Sequence, residues 1–394
     1  MHYDNASGTS DKREFDRYLH KLSNGERMPS WEHHLGLVRG ADYHNHNAAA
    51  INNFMQDEAQ YRRLGHFMRR VDEDRLLYNH NVCGANRISF GMQDFDPNVQ
   101  RRVNRIQSAE LFKKILTKKV REAYKTIAFD LLIGQPGQTT ETMSKTCDQI
   151  IELQPTLVQL SLMAYKPWVA KYQIKMLAEG PLLDFLERKE LLEVIHKKLK
   201  AAGYIRTGFE CYSLPDDSMT KAFREGTAHY GASGHQTGGR VNFVAVGSSS
   251  KGNLGDDYYS QSYYDLPSYK KCLDKGELPT FRGMKLSKDD KIRQHATQQL
   301  RSYFRIDFKQ FEKNFKINPK EYFGKEIEYL GEMIKDGLVI LSNDGIEMTE
   351  LGRDFSQNIT NVFDIYDPPT KSYNARLETI EKAKSDQAKV QELI

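Results

Sequence analysis

One carboxylate lies inside an otherwise apolar stretch of the sequence. Asp130 belongs to the run 127–133, in which all six of the remaining residues are aliphatic or aromatic. An unpaired carboxylate is costly to bury, so Asp130 needs a partner. In parallel β/α folds ligands collect at the carboxyl ends of strands, where an acidic residue can bind a ribose hydroxyl or an amino group. The alternative, an Asp paired with a structural Arg or a helix N-terminus, fits the sequence equally well.

Three further polar residues are predicted to reach the same face as Asp130. Gln93 and Asp94 end the first predicted strand, and Arg105 stands just before the next predicted helix. An Arg can bind a carboxylate through a bidentate pair of hydrogen bonds, which suits a ligand that carries one. Polar residues are common at strand ends, so simple exposure to solvent is the alternative for these three.

Two other segments carry residues of chemically useful types. The run GSSSKG at 247–252 offers backbone amides and a Lys, but it departs from the GxxxxGK[ST] pattern of phosphate-binding loops, which favours a flexible loop. The segment 42–46 has the DxHxH spacing of some barrel metallohydrolases, through His44 and His46. Such a site needs a preceding strand and later ligands, so a metal-dependent hydrolase is the less favoured alternative and no metal ligand is assigned.

The elements that must position these residues follow from hydrophobic periodicity. Apolar runs predict strands, and spacings of three and four predict amphipathic helices between them. Strands separated by helical crossovers indicate a parallel sheet with helices outside it, either an open sheet or part of a β/α barrel. The predicted strands are 86–95, 126–134, 156–165 and 204–213, and the predicted helices include 108–123, one through Met143, Cys147, Ile150 and Ile151, and 181–203.

A second pattern begins near residue 284. Three helical segments are followed by two apolar runs around an Asn-Asp-Gly turn, which predicts a hairpin, and a further helix closes the unit. Helices with a two-stranded wing predict a mainly helical, winged-helix-like domain. It shows no basic recognition stripe, so a packing or lid role is favoured over nucleic-acid binding.

Composition limits the partners and the compartment. The chain has 394 residues, enough for two or three domains, and its net charge of +4 comes from interspersed basic and acidic residues. Nucleic acid is therefore a disfavoured partner. No run approaches the roughly 20 apolar residues of a membrane helix, and the N-terminal segment lacks a signal-peptide core. We expect a cytoplasmic protein without a membrane span.

The cysteines are scattered. Cys83, Cys147, Cys211 and Cys272 lie more than 60 residues apart, with no CxxC or CxxxCxxC spacing. The sequence therefore predicts neither a disulfide framework nor a local metal-thiolate site.

Several motifs resemble one family. NRISFGMQDFDPNVQRRVNRIQ, FDLLIGQPGQT and LSLMAYKP are similar to the second half of the radical S-adenosylmethionine barrel of the oxygen-independent coproporphyrinogen III oxidases. The resemblance covers residues 86–365 and includes that family's C-terminal domain. The pattern RG, DD, IR and FRID between 282 and 307 favours these oxidases over their haem-chaperone relatives.

The resemblance implies a site and a reaction. Gln93, Arg105, Asp130 and Ala164 match positions that line the family's S-adenosylmethionine site; Arg105 would bind the methionine carboxylate, Asp130 a ribose hydroxyl, and Ala164 would leave space. The implied fold is a partial radical-SAM barrel. The implied activity is an oxidoreductase that uses S-adenosylmethionine, a [4Fe-4S] cluster and an electron donor to convert coproporphyrinogen propionates to vinyl groups, with the cofactor carrying the radical chemistry.

The sequence departs from the family in its first part. The CxxxCxxC loop and a GGGTP-like strand end are missing, and Cys83 is the only cysteine before Cys147. Cluster irons need cysteine thiolates, so this chain alone is not expected to cleave S-adenosylmethionine. Lys251 also stands where an apolar residue is expected. We interpret residues 1 to about 80 as a non-homologous or frameshifted remnant, which a CxxxCxxC run upstream or in another reading frame would support. A cluster-free porphyrin- or haem-binding protein is the alternative.

These observations together divide the chain. The predicted units are an irregular segment 1–82, the second half of the barrel 83–214, substrate-side loops and strands 215–283, the C-terminal domain 284–370 and a charged helical tail 371–394.

Overall fold

The largest sheet has five strands, which are β1 (Arg87–Gln93), β2 (Thr126–Ile133), β3 (Leu157–Leu162), β4 (Ile205–Arg206) and β5 (Cys211–Ser213). Their order is β1-β2-β3-β5-β4, and β1, β2 and β3 are parallel. The computed structural model describes residues 72–83, 85–163, 176, 179–231, 234–237, 247–254 and 258–366. Within these residues the sheet is open, so its reading as part of a barrel stays a prediction.

Helices accompany the strands along the whole described chain. They are α1 (Glu73–Cys83), α2 (Pro97–Arg102), α3 (Ala109–Ile115), α4 (Lys118–Ala123), α5 (Thr140–Leu153), α6 (Phe185–Ala201), α7 (Ser218–Glu225), α8 (Leu266–Asp274), α9 (Lys288–Tyr303), α10 (Phe308–Phe315), α11 (Pro319–Tyr322), α12 (Gly324–Tyr329), α13 (Gly331–Lys335) and α14 (Ser356–Asn361). None of these described helices combines the length and the apolar character that a bilayer crossing requires.

One face of the large sheet forms the main hydrophobic core. The odd-numbered residues of β2 from Ile127 to Ile133 are almost fully buried, and helices α3, α5 and α6 pack their apolar residues against them. Four phenylalanines meet there: Phe90 and Phe95 each pack edge to face on Phe112 and Phe129, whose own rings are tilted with centroids 5.2 Å apart. The alternation follows from the strand geometry, which sends successive side chains to opposite faces.

Two predicted elements are divided in the structure. The helix predicted over 108–123 is α3 and α4, because Thr117 caps a new helix by accepting from the Val120 amide. The strand predicted over 204–213 is β4 and β5, separated by a turn at Gly208, whose φ of 140° favours glycine. As a result β5 runs antiparallel to both β3 and β4, which corrects the expectation of a uniformly parallel sheet.

Two smaller antiparallel systems follow the large sheet. The strands β6 (His229–Gly231) and β7 (Gly234–Gln236) form a hairpin, and β8 (Lys251–Leu254), β9 (Tyr258–Ser262) and β10 (Thr280–Lys285) form a three-stranded sheet. The run predicted as a flexible loop at 247–252 therefore ends in β8. Two residues before β8, Ser249 adopts a left-handed backbone conformation, with a φ of 68°.

The last described unit has its own core of buried apolar residues from α9, α10 and α14. The predicted hairpin is confirmed as β12 (Val339–Leu341) and β13 (Gly345–Met348), and β11 (Arg305–Asp307) adds a third strand that the sequence pattern does not reveal. The predicted tail at 371–394 lies outside the described residues. The predicted domain limits stay predictions.

The segment before the first strand is helical where it is described. In α1, Leu76 is 4% exposed and its carbonyl accepts from the Tyr124 hydroxyl at 2.8 Å. The prediction of irregular structure up to residue 82 is wrong for this helix. Too few residues of α1 are apolar for hydrophobic periodicity to indicate a helix. The DxHxH segment lies outside the described residues.

The turn between β4 and β5 joins the sheet to the C-terminal unit. The Phe209 amide donates to the Arg301 carbonyl of α9 at 2.9 Å, and the Arg301 guanidinium stacks 4.7 Å from the Tyr230 ring. Burial raises the pKa of Glu210 to about 7, although the positive charge of Arg301 lowers it in part. Burial also lowers the pKa of His235, on β7, to about 4. The carboxyl group of Glu210 therefore titrates near neutral pH inside this joint.

We predict that Glu210→Gln removes a pH-dependent loss of stability. The pKa of Glu210 in the folded chain lies above its ordinary value of 4.5, so its contribution is complete below pH 4.5 and disappears as the pH rises to about 7. Wild type should lose up to about 3 kcal/mol of unfolding free energy over this range that the variant keeps. Urea unfolding at pH 4 and pH 8 measures the difference, and parallel pH profiles would contradict it.

Candidate functional site

The second face of the large sheet is apolar at one end and polar at the other. Ala128 and Leu157 pack against Met219 of α7 near the amino ends of β2 and β3. Further along the strands, Asp130 of β2 is the register partner of Gln159 of β3. Register partners share a face, so these two side chains lie together. The polar part of this face is therefore at the carboxyl half of the parallel strands, where ligands bind in open α/β sheets.

Asp130 receives its hydrogen bond from the neighbouring strand. The Ser89 hydroxyl of β1 lies 2.8 Å from both Asp130 carboxylate oxygens and donates to them. Burial raises the pKa of Asp130 above its ordinary value, while the Ser89 hydrogen bond and the positive charge of Arg105 oppose that rise. The hydrogen-bond partner of Asp130, which the sequence did not identify, is thus Ser89. The positive charge of the buried Arg105 also stabilises the ionised carboxylate.

Arg105 is fixed beside the end of β1. It is 8% exposed, its amide donates to the Gln100 carbonyl at 2.8 Å, and its guanidinium donates to the Gly91 carbonyl. A Cβ at Gly91 would lie 3.0 Å from Arg105 Nη2 and 2.8 Å from Gln93 Nε2. The absence of a side chain at Gly91 therefore lets the arginine and the glutamine approach the strand together.

Gln93 occupies a strained backbone position at the strand end. Its φ is 63°, and the register between β1 and β2 shifts between Phe90 and Gln93. Such a bulge re-aims a side chain at the edge of a sheet. The Gln93 side chain is buried beside Gly91, next to the guanidinium of Arg105.

Asp94 stabilises the same edge from inside. Its carboxylate accepts from Gln138 Nε2 at 2.6 Å, from Thr146 Oγ1 at 2.8 Å and from the Asp96 amide at 2.7 Å. Burial raises the pKa of Asp94, and these hydrogen bonds oppose the rise. The acceptor sites of this carboxylate are used within the protein, which makes Asp94 a structural residue.

Gln138 ties this network to the end of β2. Its side-chain oxygen accepts from the amides of Gly134 and Gln135 at 2.7 and 2.9 Å, and its nitrogen also donates to the Leu132 carbonyl at 2.8 Å. Sequence reasoning missed Gln138 and Thr146. The only signal was the position of Gln138 in the turn that follows β2.

The described cysteines do not form a metal site. Cys147 and Cys211 are fully buried, and burial raises the pKa of each thiol to about 12. No three His, Cys, Asp or Glu side chains in the described part of the chain are grouped as metal ligands. A [4Fe-4S] cluster needs cysteine thiolates, and these residues do not supply them.

Comparison with known proteins places the chain in a family. Residues 286–355 match the family model for the HemN C-terminal domain. An oxygen-independent coproporphyrinogen III oxidase of Thermostichus vulcanus is 30% identical over 299 residues, which cover 76% of this chain and 91% of that protein. The chain belongs to the oxygen-independent coproporphyrinogen III oxidase family.

Other members of the oxidase family are longer. The relatives from Helicobacter pylori (strain 26695) and Pseudomonas aeruginosa are 33% and 34% identical, each over 72% of this chain and 62% of the relative's length. The chain therefore spans less than two thirds of these proteins. A solved structure of coproporphyrinogen III oxidase from Escherichia coli, described as a radical SAM enzyme, matches with a TM-score of 0.70 and 29% identity. That match covers 79% of this chain and 75% of the other.

The structure brings together three of the four residues that the family resemblance selected. Gln93 and Arg105 meet at Gly91, and the charge of Arg105 acts on Asp130. Ala164 lies outside the described residues. The role of all four in this oxidase-family chain stays a prediction from the resemblance.

We predict that Asp130→Asn makes the free protein more stable. The pKa of Asp130 is raised on folding, so its ionised form opposes folding above the carboxyl pKa of the unfolded chain. The neutral amide should raise the free energy of unfolding by about 0.5–2 kcal/mol at pH 7. Urea denaturation measures the gain, which should shrink at pH 3, where both states are protonated. A variant less stable than wild type at pH 7 would show that the carboxylate contributes to the fold instead.

Proposed function

We propose that the polar half of the sheet face binds S-adenosylmethionine. We further propose that the chain acts in the oxidative decarboxylation of coproporphyrinogen III, which converts propionate side chains to vinyl groups and gives protoporphyrinogen IX. One observation carries the proposal: a half-buried carboxylate and a buried guanidinium are held on one face at the carboxyl ends of parallel strands. Membership of the oxidase family supports the reaction.

The residues present suit a zwitterionic nucleoside ligand. Arg105 offers a planar cation for the methionine carboxylate, and Asp130 offers acceptor oxygens for ribose hydroxyls. Gln93 supplies a polar group at the same edge, and we propose Ala164 as a small residue beside the ligand. When bound, S-adenosylmethionine supplies the adenosyl group with which radical SAM enzymes abstract hydrogen. The protein side chains contribute binding and orientation.

In this proposal the described residues bind S-adenosylmethionine but do not by themselves cleave it. Cys147 and Cys211 are buried, which raises the pKa of each thiol, and no three His, Cys, Asp or Glu side chains of the described residues are grouped as metal ligands, so these residues do not fit a [4Fe-4S] cluster. We propose that the five-stranded sheet corresponds to the second half of a radical-SAM barrel, and that the cluster and the electron donor act from outside the described residues. The predicted units 83–214, 215–283 and 284–370 remain part of this proposal.

We predict that Asp130→Asn weakens S-adenosylmethionine binding at least about tenfold, which corresponds to about 1.4 kcal/mol. The amide keeps the size of the side chain but loses the charge and one acceptor oxygen. Isothermal titration of the full chain with S-adenosylmethionine measures the effect. Asp148→Asn changes an exposed carboxylate on α5 and should bind like wild type.

A second variant tests the cation. Arg105→Lys keeps the positive charge but loses the planar fork that pairs with a carboxylate, so we expect it to bind S-adenosylmethionine more weakly than wild type. Its affinity for decarboxylated S-adenosylmethionine, which lacks that carboxylate, should fall less. Equal affinities of wild type, Asp130→Asn and Arg105→Lys for S-adenosylmethionine would refute the proposed site. Binding by wild type without cluster formation on anaerobic iron and sulfide reconstitution would agree with it.

A further inference from the structure

A polar residue that the family resemblance did not select lies beside Asp130. Gln159 of β3 is the register partner of Asp130 on one side and of Cys211 of β5 on the other. Its chain neighbours Val158 and Leu160 are buried in the main core, on the opposite face of the sheet. Because side chains alternate along a strand, the Gln159 amide shares the face of Asp130.

The Gln159 side chain makes no hydrogen bond to any residue that the structure describes. On one side, Asp130 is bonded to the Ser89 hydroxyl, at 2.8 Å, rather than to Gln159. On the other side, the sulfur of Cys211 accepts from the Thr207 hydroxyl at 3.5 Å. The half-buried amide therefore keeps its two N–H donors and its oxygen acceptor for solvent or for a ligand on this face.

Gln159 lies where the apolar half of the face ends. Towards the amino ends of the strands, Leu157 belongs to the apolar cluster with Met219 of α7. Towards the carboxyl ends, the next residues on this face are Leu132 and Ser161, which are register partners and half-buried. The Gln159 amide is thus the innermost polar group of β3 on the half of the face that we assign to the ligand.

The side chains of Asp130 and Gln159 complement each other in hydrogen bonding. An ionised carboxylate only accepts, whereas an amide donates through its nitrogen and accepts through its oxygen. Neighbouring strands are roughly 4.8 Å apart, so the two groups can reach adjacent atoms of one small ligand. Each of the two adjacent hydroxyls of a ribose both donates and accepts. A carboxylate accepts their protons, and an amide beside it supplies the donor that a hydroxyl oxygen can accept.

We propose that Gln159 donates a hydrogen bond to a ribose hydroxyl of bound S-adenosylmethionine and, together with Asp130, makes the site specific for ribose over deoxyribose. This inference rests on the proposed function, because it takes the ligand from it. It adds to the site a specificity-determining residue that only the register of β2 and β3 brings next to Asp130.

Isothermal titration of the full chain with S-adenosylmethionine and with its 2′-deoxy and 3′-deoxy analogues tests the proposal. Gln159→Leu keeps a side chain of similar volume but loses the amide, and it should bind S-adenosylmethionine at least about tenfold more weakly than wild type. Its affinity for the analogue that lacks the contacted hydroxyl should stay within about twofold of wild type, because that contact is absent in both.

Two further variants separate the contact from folding. Gln159→Met is unbranched like glutamine and should give the same pattern as Gln159→Leu. Gln149→Leu makes the matched change at an exposed position of α5 and should bind all three ligands like wild type. Far-UV circular dichroism shows which variants keep the fold. A misfolded variant would lose all three ligands, whereas loss of one hydrogen bond spares one deoxy analogue.

Two results would overturn the proposal. One is an unchanged affinity for S-adenosylmethionine in the folded Gln159 variants. The other is an equal loss for S-adenosylmethionine and both deoxy analogues, which would assign the amide to another part of the ligand. If Asp130→Asn weakens S-adenosylmethionine binding and the Gln159 variants do not, the proposed cofactor site stands and the ribose contact is wrong. If wild type binds no S-adenosylmethionine, the proposed function and this inference are both wrong.

Discussion

The burial of the Asp130 carboxylate within the sheet is the constraint on which the candidate site depends. A charge in this position opposes folding, as the raised pKa of Asp130 records. The Ser89 hydroxyl and the charge of Arg105 offset part of that cost. Gly91 in turn leaves the space that the arginine occupies. Because the buried carboxylate is costly to the free protein, we propose that a bound ligand offsets the rest of that cost.

The site is built on a rigid edge. Asp94 and Gln138 join the ends of β1 and β2 through buried hydrogen bonds, and Thr146 adds the first half of α5 to this network. Because these groups satisfy one another, the edge needs no ligand to hold its shape. The turn before β5 is different, because its Phe209 amide donates to the Arg301 carbonyl of α9. Burial raises the pKa of Glu210 in this turn to about 7, so the joint responds to pH near neutrality.

Hydrophobic periodicity was sufficient to predict the elements that bury one continuous apolar face. The strands β1 to β3, helix α5 and the hairpin of β12 and β13 agree with the prediction, because their apolar residues recur with the spacing of one face. The reversal at β5 was not predictable in this way, since it depends on the single turn at Gly208. Ser89 was also missed: it lies 41 residues from Asp130 in the sequence and resembles any other polar strand residue. Motif similarity selected Gln93, Arg105 and Asp130, but only the register of the sheet shows how they share one face.

We propose that the Asp130 carboxylate contacts the bound ligand. Titration of the Asp130 carboxyl carbon by NMR, with Asp130→Asn used for assignment, tests it most directly. In the free protein the pKa of Asp130 should lie above its ordinary value. Saturation with S-adenosylmethionine should lower that pKa, because ribose hydroxyls that donate to the carboxylate stabilise its charged form. A pKa that is the same with and without S-adenosylmethionine would contradict the account.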